Sequence, residues 1–234
     1  MHVITFASRK GGAGKSTLTA QLAAHAITLG RRVHLIDADP QGSLSLWNAR
    51  RAGGQLPLAT PERGIDRPVA FAMVEGAEFV FIDTAPTMWV VVQEAIRAAT
   101  MVVIPARPGF FDLAAITDTV KTARERDRPY AVVLNACPVK RDDKEAPIVA
   151  QSRAELEALG IPVWAGQISH RAGYQSTLAA GASAAEIGPQ TAAASEIAAL
   201  WSAISRSVEA ISAATFAPGQ AANEGGSAMS GRAA

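Results

Sequence analysis

The sequence of 234 residues contains a single cysteine, Cys137, so it can form no internal disulfide and suits a reducing compartment. Its four histidines are scattered without the spacing of a metal site, and we expect no protein-held zinc or iron–sulfur centre. No apolar run approaches the roughly 18 to 20 residues that span a membrane, and the N-terminus lacks the apolar core of a signal peptide. These absences predict a cytoplasmic protein without a membrane anchor.

The charges are nearly balanced, and this limits how the chain can attract polyanions. The formal net charge is only +1, from 22 Lys and Arg against 21 Asp and Glu. No global field therefore draws the chain onto nucleic acid or an anionic membrane, and any DNA contact must come from a local patch. A hydrophobic content of 49% and the length fit one large α/β domain. We place this domain at residues 1–214 and expect a disordered Gly/Ala/Ser-rich tail at residues 215–234.

The most informative segment is residues 9–16, RKGGAGKS, which stands between two periodic patterns. The short apolar run at residues 3–7 predicts a buried strand before it. After it, apolar residues recur at helical spacing, at Leu18, Leu22, Ala26 and Leu29. Strand, glycine-rich loop and helix are typical of a phosphate-binding loop, whose backbone N–H groups and helix N-terminus surround a polyanion. Lys15 would then reach the β- and γ-phosphates, and the Ser16 hydroxyl would bind Mg²⁺; the alternative is a flexible turn.

The loop departs from the general pattern G-x-x-x-x-G-K-[ST] at its entrance. Arg9 stands where that pattern has glycine, and Lys10 adds a second lysine. Two ammonium groups on the same phosphates would repel each other, so we expect Lys10 to be directed outward, toward the nucleotide of a second subunit. The segment thus predicts half of a site that a second copy of the chain completes.

Acidic residues follow two further strand-like runs. Asp37 and Asp39 come after the apolar residues 33–36, and Asp83 comes after residues 79–82. Open α/β sheets bind ligands at the carboxyl ends of their strands, so we expect these carboxylates near the glycine-rich loop. Asp83 completes a Walker B pattern and would hold Mg²⁺ through water. The alternative for each acid is a capping or turn role, which is common for a lone aspartate.

Strands and helices alternate through the rest of the chain. The sequence predicts strands at residues 101–104, 130–134 and 161–164 and helices at 44–51, 113–126, 148–159 and 189–214. We expect Asp112 to cap the N-terminus of the helix at 113–126. The alternation predicts a P-loop α/β fold in which a mostly parallel sheet carries helices on both faces.

Three motifs together resemble the ParA/MinD family of deviant Walker A ATPases: K-G-G-A-G-K-S at residues 10–16, D-x-D-P-Q at 37–41 and D-T-A-P at 83–86. Ala85 is a mild departure from the family's D-T-P-P. Because the first strand begins at residue 3, the chain looks like a small ParA-type partition ATPase without the N-terminal helix-turn-helix extension. The resemblance implies ATP and Mg²⁺ as cofactors and a weak, Mg-dependent ATPase activity.

The resemblance also implies roles for individual residues. Lys10 would cross the dimer interface to the partner's phosphates, Asp39 would orient the attacking water, and Asp37 would support the hydrated Mg²⁺. Asn135 would contact the adenine base. The expected catalytic residues are Lys10, Lys15 and Asp39, and the expected metal-site residues are Ser16, Asp37 and Asp83. The expected nucleotide-binding residues are Gly11, Gly12, Ala13, Gly14, Lys15, Ser16, Thr17 and Asn135.

Candidate DNA contacts also come from the resemblance. In ParA proteins an arginine after the last strand contributes to a DNA-binding surface, and Arg171 in the segment I-S-H-R matches it. Lys140 and Arg141 offer a second basic position; a solvated loop is the alternative for them, and an ion pair is the alternative for Arg171. MinD relatives end instead in a basic membrane helix, but the helix at 189–214 offers only Arg206, so we expect no membrane binding.

The function that the resemblance implies is an ATP-driven cycle. ATP joins two subunits into a homodimer that binds DNA non-specifically and associates with the nucleoid, and an adaptor of the ParB type stimulates hydrolysis and release. The cycle segregates a plasmid or chromosome, or it positions a protein cargo such as a chemoreceptor cluster or microcompartment. A metabolic synthetase of the dethiobiotin or cobyrinate type is the alternative from another class, although Lys10 and the D-x-D-P-Q box count against it.

Overall fold

The computed structural model describes residues 1–62 and 64–216, and within them it contains one sheet of six parallel strands. The strands are β1 (His2–Phe6), β2 (Val33–Ala38), β3 (Leu58–Ala59), β4 (Phe79–Thr84), β5 (Met101–Ala106) and β6 (Tyr130–Leu134). The helices are α1 (Lys15–Thr28), α2 (Ser43–Ala49), α3 (Asp66–Val74), α4 (Trp89–Ala98), α5 (Phe110–Glu125), α6 (Pro147–Ala158), α7 (Ala172–Ala179), α8 (Ala184–Ile187) and α9 (Ala192–Phe216). The sheet order is β3-β2-β4-β1-β5-β6, which places β1 in the interior.

The parallel register brings the ends of the motif-bearing strands level with one another. Phe6 at the end of β1 pairs with Asp83 in β4, and Asp83 pairs in turn with Asp37 in β2. Every residue of β4 and β5 is buried, which explains why these strands appear in the sequence as continuous apolar runs. The carboxyl edge of the sheet therefore collects the glycine-rich loop and both acidic motifs.

Alternating side chains of β4 divide the core between the two faces of the sheet. Phe79 and Phe81 pack on the face covered by α1 and α9, where the rings of Phe79 and Trp201 lie 4.8 Å apart between centroids. Val80 and Ile82 point to the opposite face, where they pack with residues of α3 and α4. Helices thus cover both faces, and the predicted fold class is confirmed.

The predicted strands and helices are present with one exception, and their ends differ from the predictions by at most three residues. The exception is the strand predicted at residues 161–164, which is wrong: only a single parallel bridge joins Val163 to Val132. Pro162 has no N–H with which to extend the ladder. The sequence reasoning also missed the helices α3, α4, α7 and α8.

The predicted N-cap at Asp112 is wrong as well. Helix α5 begins at Phe110, and Asp112 lies in its first turn, where its N–H donates to the carbonyl of Gly109 at 3.2 Å. Gly109 has a φ of 144°, a conformation that few other residues adopt, and it turns the chain into the helix before Asp112 is reached. The Asp112 carboxylate is therefore available for a contact elsewhere.

The predicted tail at residues 215–234 lies outside the described residues apart from the last two positions of α9. Among the helices of the described part of the chain, none is both long and apolar enough to cross a membrane.

Candidate nucleotide-binding site

The glycine-rich loop joins β1 to α1 at the carboxyl edge of the sheet. Gly12 and Gly14 have φ values of 71° and 98°, so the loop uses backbone conformations that favour glycine. A Cβ on Gly14 would collide with the amide nitrogen of Asn135, whereas a Cβ on Gly11 would meet nothing within 4 Å. No side chain caps the N-terminus of α1, which begins at Lys15. The first N–H groups of this helix are therefore free to bind an anion.

Lys15 is held inside the loop. The residue is only 6% exposed, and its ammonium donates to the carbonyls of Ser8 at 3.1 Å and Lys10 at 3.4 Å. Burial lowers the pKa of Lys15, an effect that the nearby carboxylates of Asp83 and Asp39 oppose. Within residues 1–62 and 64–216 the ammonium thus donates to neutral carbonyl groups alone, and a phosphate would be a stronger acceptor for it.

Asp83 is the residue whose environment most strongly suggests a metal ion. It is completely buried, and neither carboxylate oxygen has a hydrogen-bond partner among the described residues. Burial raises the pKa of Asp83 to about 7, although the nearby Ser16 hydroxyl and Lys15 favour the charged form. A bound cation would satisfy both oxygens, directly or through water, and Mg²⁺ prefers such oxygen ligands. The residues therefore fit the predicted magnesium site at Ser16 and Asp83.

Replacing Asp83 with asparagine should stabilise the nucleotide-free protein while weakening Mg²⁺ binding. Because the pKa of Asp83 is raised from 3.8 to about 7 on folding, the wild-type protein loses stability as the pH rises between these values. Asparagine carries no charge, so the stability of the variant does not decrease in this way as the pH rises. At about pH 8 we expect its free energy of unfolding to exceed that of the wild-type protein by ~1–3 kcal/mol. Urea unfolding in EDTA at about pH 5.5 and pH 8 measures the difference. Equal pH dependence in both proteins would contradict this account, and Asp66→Asn is the control because Asp66 is an exposed acid.

Asp37 and Asp39 occupy different positions at the end of β2. Asp37 is buried, and one of its oxygens accepts from the Ser45 N–H at 2.8 Å and the Ser45 hydroxyl at 2.7 Å. Asp37 thus holds the first turn of α2, whose N-cap position is Gly42, and its predicted support of the hydrated Mg²⁺ stays a prediction. Asp39 is half-buried, accepts from the Gln41 N–H at 3.0 Å and lines the cavity above the glycine-rich loop. Of the two acids, Asp39 is the one placed to meet a ligand.

Lys10 does not line the cavity that Lys15 lines. Its side chain is 42% exposed, and its ammonium lies 3.8 Å from a carboxylate oxygen of Asp112 in the first turn of α5. The sequence predicted that Lys10 is directed outward, toward the nucleotide of a second subunit; its side chain lies outside the cavity, and the contact with a second subunit stays a prediction. The contact of Lys10 within its own chain involves one oxygen of the Asp112 carboxylate, which sequence reasoning had assigned to a helix cap; the other oxygen is buried and has no hydrogen-bond partner in the described part of the chain.

Asn135 connects the end of β6 to the glycine-rich loop. Its amide nitrogen donates to the carbonyl of Ala13 at 2.7 Å, and the residue is 8% exposed. This hydrogen bond fixes the loop against the sheet. The predicted contact of Asn135 with adenine stays a prediction.

A cavity of about 670 Å³ opens above the loop and includes residues that sequence reasoning missed. Its floor is formed by the loop and the first turn of α1, including Ser16 and Thr17. Its outer walls come from α2 and the residue that follows it and from α7, with Leu46, Trp47, Arg50, Gln175, Leu178 and Ala179. Arg107 also lines it, and its guanidinium donates to the carbonyl of Gly12 at 2.7 Å. Arg107 follows directly after β5. The rule that open α/β sheets bind ligands at the carboxyl ends of their strands could therefore have identified it, as it identified the acids after β2 and in β4.

The candidate DNA contacts lie away from this cavity. Arg171 pairs with Glu196 at 2.8 Å, and its side chain is 25% exposed. Lys140 and Arg141 are exposed in a loop that follows β6. Gln167 donates to the carbonyl of Pro138 at 2.9 Å and so joins this loop to the segment that contains Arg171.

Comparison with known proteins agrees with this geometry. Residues 4–183 match the model of the CobQ/CobB/MinD/ParA nucleotide binding domain. The chain is 25% identical over 189 residues to maintenance of carboxysome distribution protein A of Halothiobacillus neapolitanus, covering 79% of this chain and 87% of that protein. It is 28% identical over 152 residues to the chromosome-partitioning ATPase Soj of Thermus thermophilus, covering 52% of this chain and 61% of that one. The fold matches MinD complexed with Mg-ADP from Pyrococcus horikoshii with a TM-score of 0.70 at 16% identity, over 90% of this chain and 98% of that chain.

Proposed function

Because this chain belongs to the CobQ/CobB/MinD/ParA family of nucleotide-binding domains, we propose that it is an ATPase that dimerises around ATP and binds DNA non-specifically. Hydrolysis, stimulated by an adaptor of the ParB type, releases it, and the cycle segregates a plasmid or chromosome. The observation that carries the proposal is the pair of lysines in one loop. Lys15 is buried beneath the cavity, whereas Lys10 lies outside it and is available to a second subunit.

Different residues of the site would carry out different parts of ATP hydrolysis. Bound Mg-ATP supplies the phosphoryl group that is transferred and the divalent charge beside it. Lys15 and the first N–H groups of α1 would hold the phosphates, and Ser16 and Asp83 would hold the metal ion. Asp39, at the cavity wall, orients the attacking water. Asp37 contributes by fixing the start of α2 through Ser45 and supports the hydrated Mg²⁺.

Exposed apolar residues beside Lys10 support a dimer on this face. Phe110 and Phe111, in the first turn of α5, are 75% and 76% exposed, and Asp112 follows them directly. Large exposed apolar groups next to one another are typical of interaction sites in soluble proteins. The contact between Lys10 and Asp112 is long and partly exposed, so little free energy opposes the movement of Lys10 toward a partner subunit.

The DNA-binding surface that we propose is the exposed loop after β6 together with the adjacent segment. Lys140 and Arg141 belong to no ion pair in the described part of the chain, and Lys144 lies in the same turn, separated from them by the acids Asp142 and Asp143. Arg171 is less available, because its guanidinium is held by Glu196. A dimer would present two such loops, which compensates for the low net charge of a single chain.

The proposal is tested by DNA retention with ATP and Mg²⁺, with ADP, and without nucleotide. We expect retention only with ATP and a steep decrease in retention with salt, because phosphate contacts release counterions. Retention that needs no ATP, or that salt does not affect, would contradict the proposed dimer surface. A metabolic synthetase would bind ATP and show no DNA retention in any of the three states.

Reversing charge in the loop should remove DNA binding and leave the nucleotide site intact. The double variant Lys140→Glu and Arg141→Glu should weaken ATP-dependent DNA binding by ~10-fold or more, because it replaces two phosphate contacts with repulsion. Fluorescence anisotropy of a labelled duplex measures the loss, and ATP affinity should be unchanged. The control Lys121→Glu reverses an exposed lysine of α5 that lies outside the loop. An equal loss in the control would show a general charge effect and contradict the assignment.

Positioning of a protein cargo by the same cycle is the second candidate. It is favoured by the match to a protein named for maintenance of carboxysome distribution, which covers most of both chains. The two candidates share the ATP cycle and the nucleoid as a surface, and they differ in the adaptor. A centromere-binding protein encoded beside this chain would favour segregation, and a shell or chemotaxis protein would favour cargo positioning.

A further inference from the structure

Arg107 is a cation on the cavity wall that no carboxylate neutralises. It follows Ala106, the last residue of β5, and its side chain crosses to the glycine-rich loop, where one guanidinium nitrogen donates to the Gly12 carbonyl at 2.7 Å. In the described part of the chain its other two guanidinium nitrogens have no hydrogen-bond partner, and it belongs to no ion pair. By contrast, Arg9 is paired with a carboxylate on the neighbouring helix α5.

We propose that Arg107 binds the phosphate chain of the nucleotide held in its own subunit, as a third cationic group beside Lys15 and the partner's lysine. This inference rests on the proposed function, since it needs a nucleotide in the cavity. The sequence motifs assign no role to this position. Arg107 lines the same cavity as Gly11, Gly12 and Lys15, and the strand that precedes it is buried along its whole length. Its backbone is therefore fixed while its exposed guanidinium can move.

The present hydrogen bond of Arg107 is weaker than the one that a phosphate would offer. A neutral carbonyl gives an ordinary hydrogen bond, whereas a charge-assisted bond to phosphate is roughly twice as strong and can be bidentate. The bond to Gly12 is exposed, so solvent can replace it when the guanidinium turns toward the ligand. Arg107 reaches the loop from the end of β5, so its guanidinium and the Lys15 ammonium can contact different phosphates of one chain.

The test compares ligands that differ in their number of phosphates. In Arg107→Ala, the Kd for a non-hydrolysable ATP analogue should rise about 10- to 100-fold, while the Kd for AMP should rise less than about threefold. Arg107→Lys keeps the positive charge but loses the planar guanidinium that can donate two parallel hydrogen bonds to phosphate. This variant should therefore recover part of the affinity that Arg107→Ala loses. Isothermal titration calorimetry measures each Kd, and thermal unfolding without nucleotide should be unchanged, because the side chain is exposed.

Other outcomes overturn the inference and leave the proposed function standing. An equal loss of affinity for AMP and for the ATP analogue would show that Arg107 only supports the loop through Gly12. Unchanged affinity for both ligands would show that it plays no part in binding. The control is Arg97→Ala, since Arg97 is an exposed arginine that pairs with Asp66 and does not line the cavity. Failure of the proposed function itself would appear in the wild-type protein as an absence of ATP binding.

Discussion

Replacing Lys15 with alanine should abolish nucleotide binding, with a rise in the Kd for ATP of ~100-fold or more. Lys15 is the buried cation of the site, and its ammonium donates to the carbonyls of Ser8 and Lys10. Without it, the phosphates lose a charge-assisted hydrogen bond, and Asp83 loses a neighbouring positive charge. Titration with a fluorescent ATP analogue measures the change. Full ATP affinity in the variant would contradict the assignment of the loop.

The control for this variant is Lys10→Ala, in the same loop. Lys10 lies outside the cavity, so monomeric Lys10→Ala should bind ATP with nearly the affinity of the wild-type protein. A comparable loss in both variants would show that the loop responds to any change in its charge. Circular dichroism of both variants establishes that each is folded.

Replacing Asp39 with alanine should stop turnover and leave ATP binding in place. The expected decrease in kcat is ~100-fold or more, as is typical when a residue that positions or deprotonates an attacking water is removed. Because phosphate binding depends on Lys15 and the loop, the variant should accumulate with ATP still bound. Steady-state phosphate release and the nucleotide content of the isolated protein measure the two effects.

Two further variants separate a role in hydrolysis from a general loss of charge. Asp66→Ala removes an exposed acid that pairs with Arg97 and should turn over ATP at the wild-type rate. Asp39→Asn keeps the shape of the side chain and its ability to hydrogen-bond a water, so it should recover part of the turnover that the alanine variant loses if Asp39 acts by orienting the water. Undiminished turnover in Asp39→Ala would remove this residue from the proposed mechanism.

The sequence predicted the part of the site that depends on strand ends. Apolar runs locate the buried strands, and Asp39 and Asp83 follow from the rule that ligands bind at the carboxyl edge of an open sheet. The register supports this, since Asp37 and Asp83 are paired neighbours in the sheet. These features depend on residues that are close together in the sequence. They can therefore be predicted without knowing the contacts between distant segments.

The features that were missed depend on contacts between distant segments. Arg107 reaches Gly12 across 95 positions in the chain, and the α7 wall of the cavity is far from the loop in sequence. Asp112 was assigned to a helix cap because a lone aspartate before an apolar pattern favours that role. Its contact with Lys10 depends on the packing of the loop after β1 against α5, which the sequence alone does not reveal.

The central claim, that the loop is half of a site completed by a second subunit, is tested most directly by the molar mass of the full chain in solution. Light scattering of Asp39→Ala, in which ATP is not consumed, should give twice the chain mass of 24.3 kDa with ATP and Mg²⁺, and the monomer mass with ADP. Adding Lys10→Ala to this variant should return the mass to that of the monomer while ATP binding is retained. A monomer with ATP and Mg²⁺, or a dimer that forms equally well without Lys10, would contradict the account.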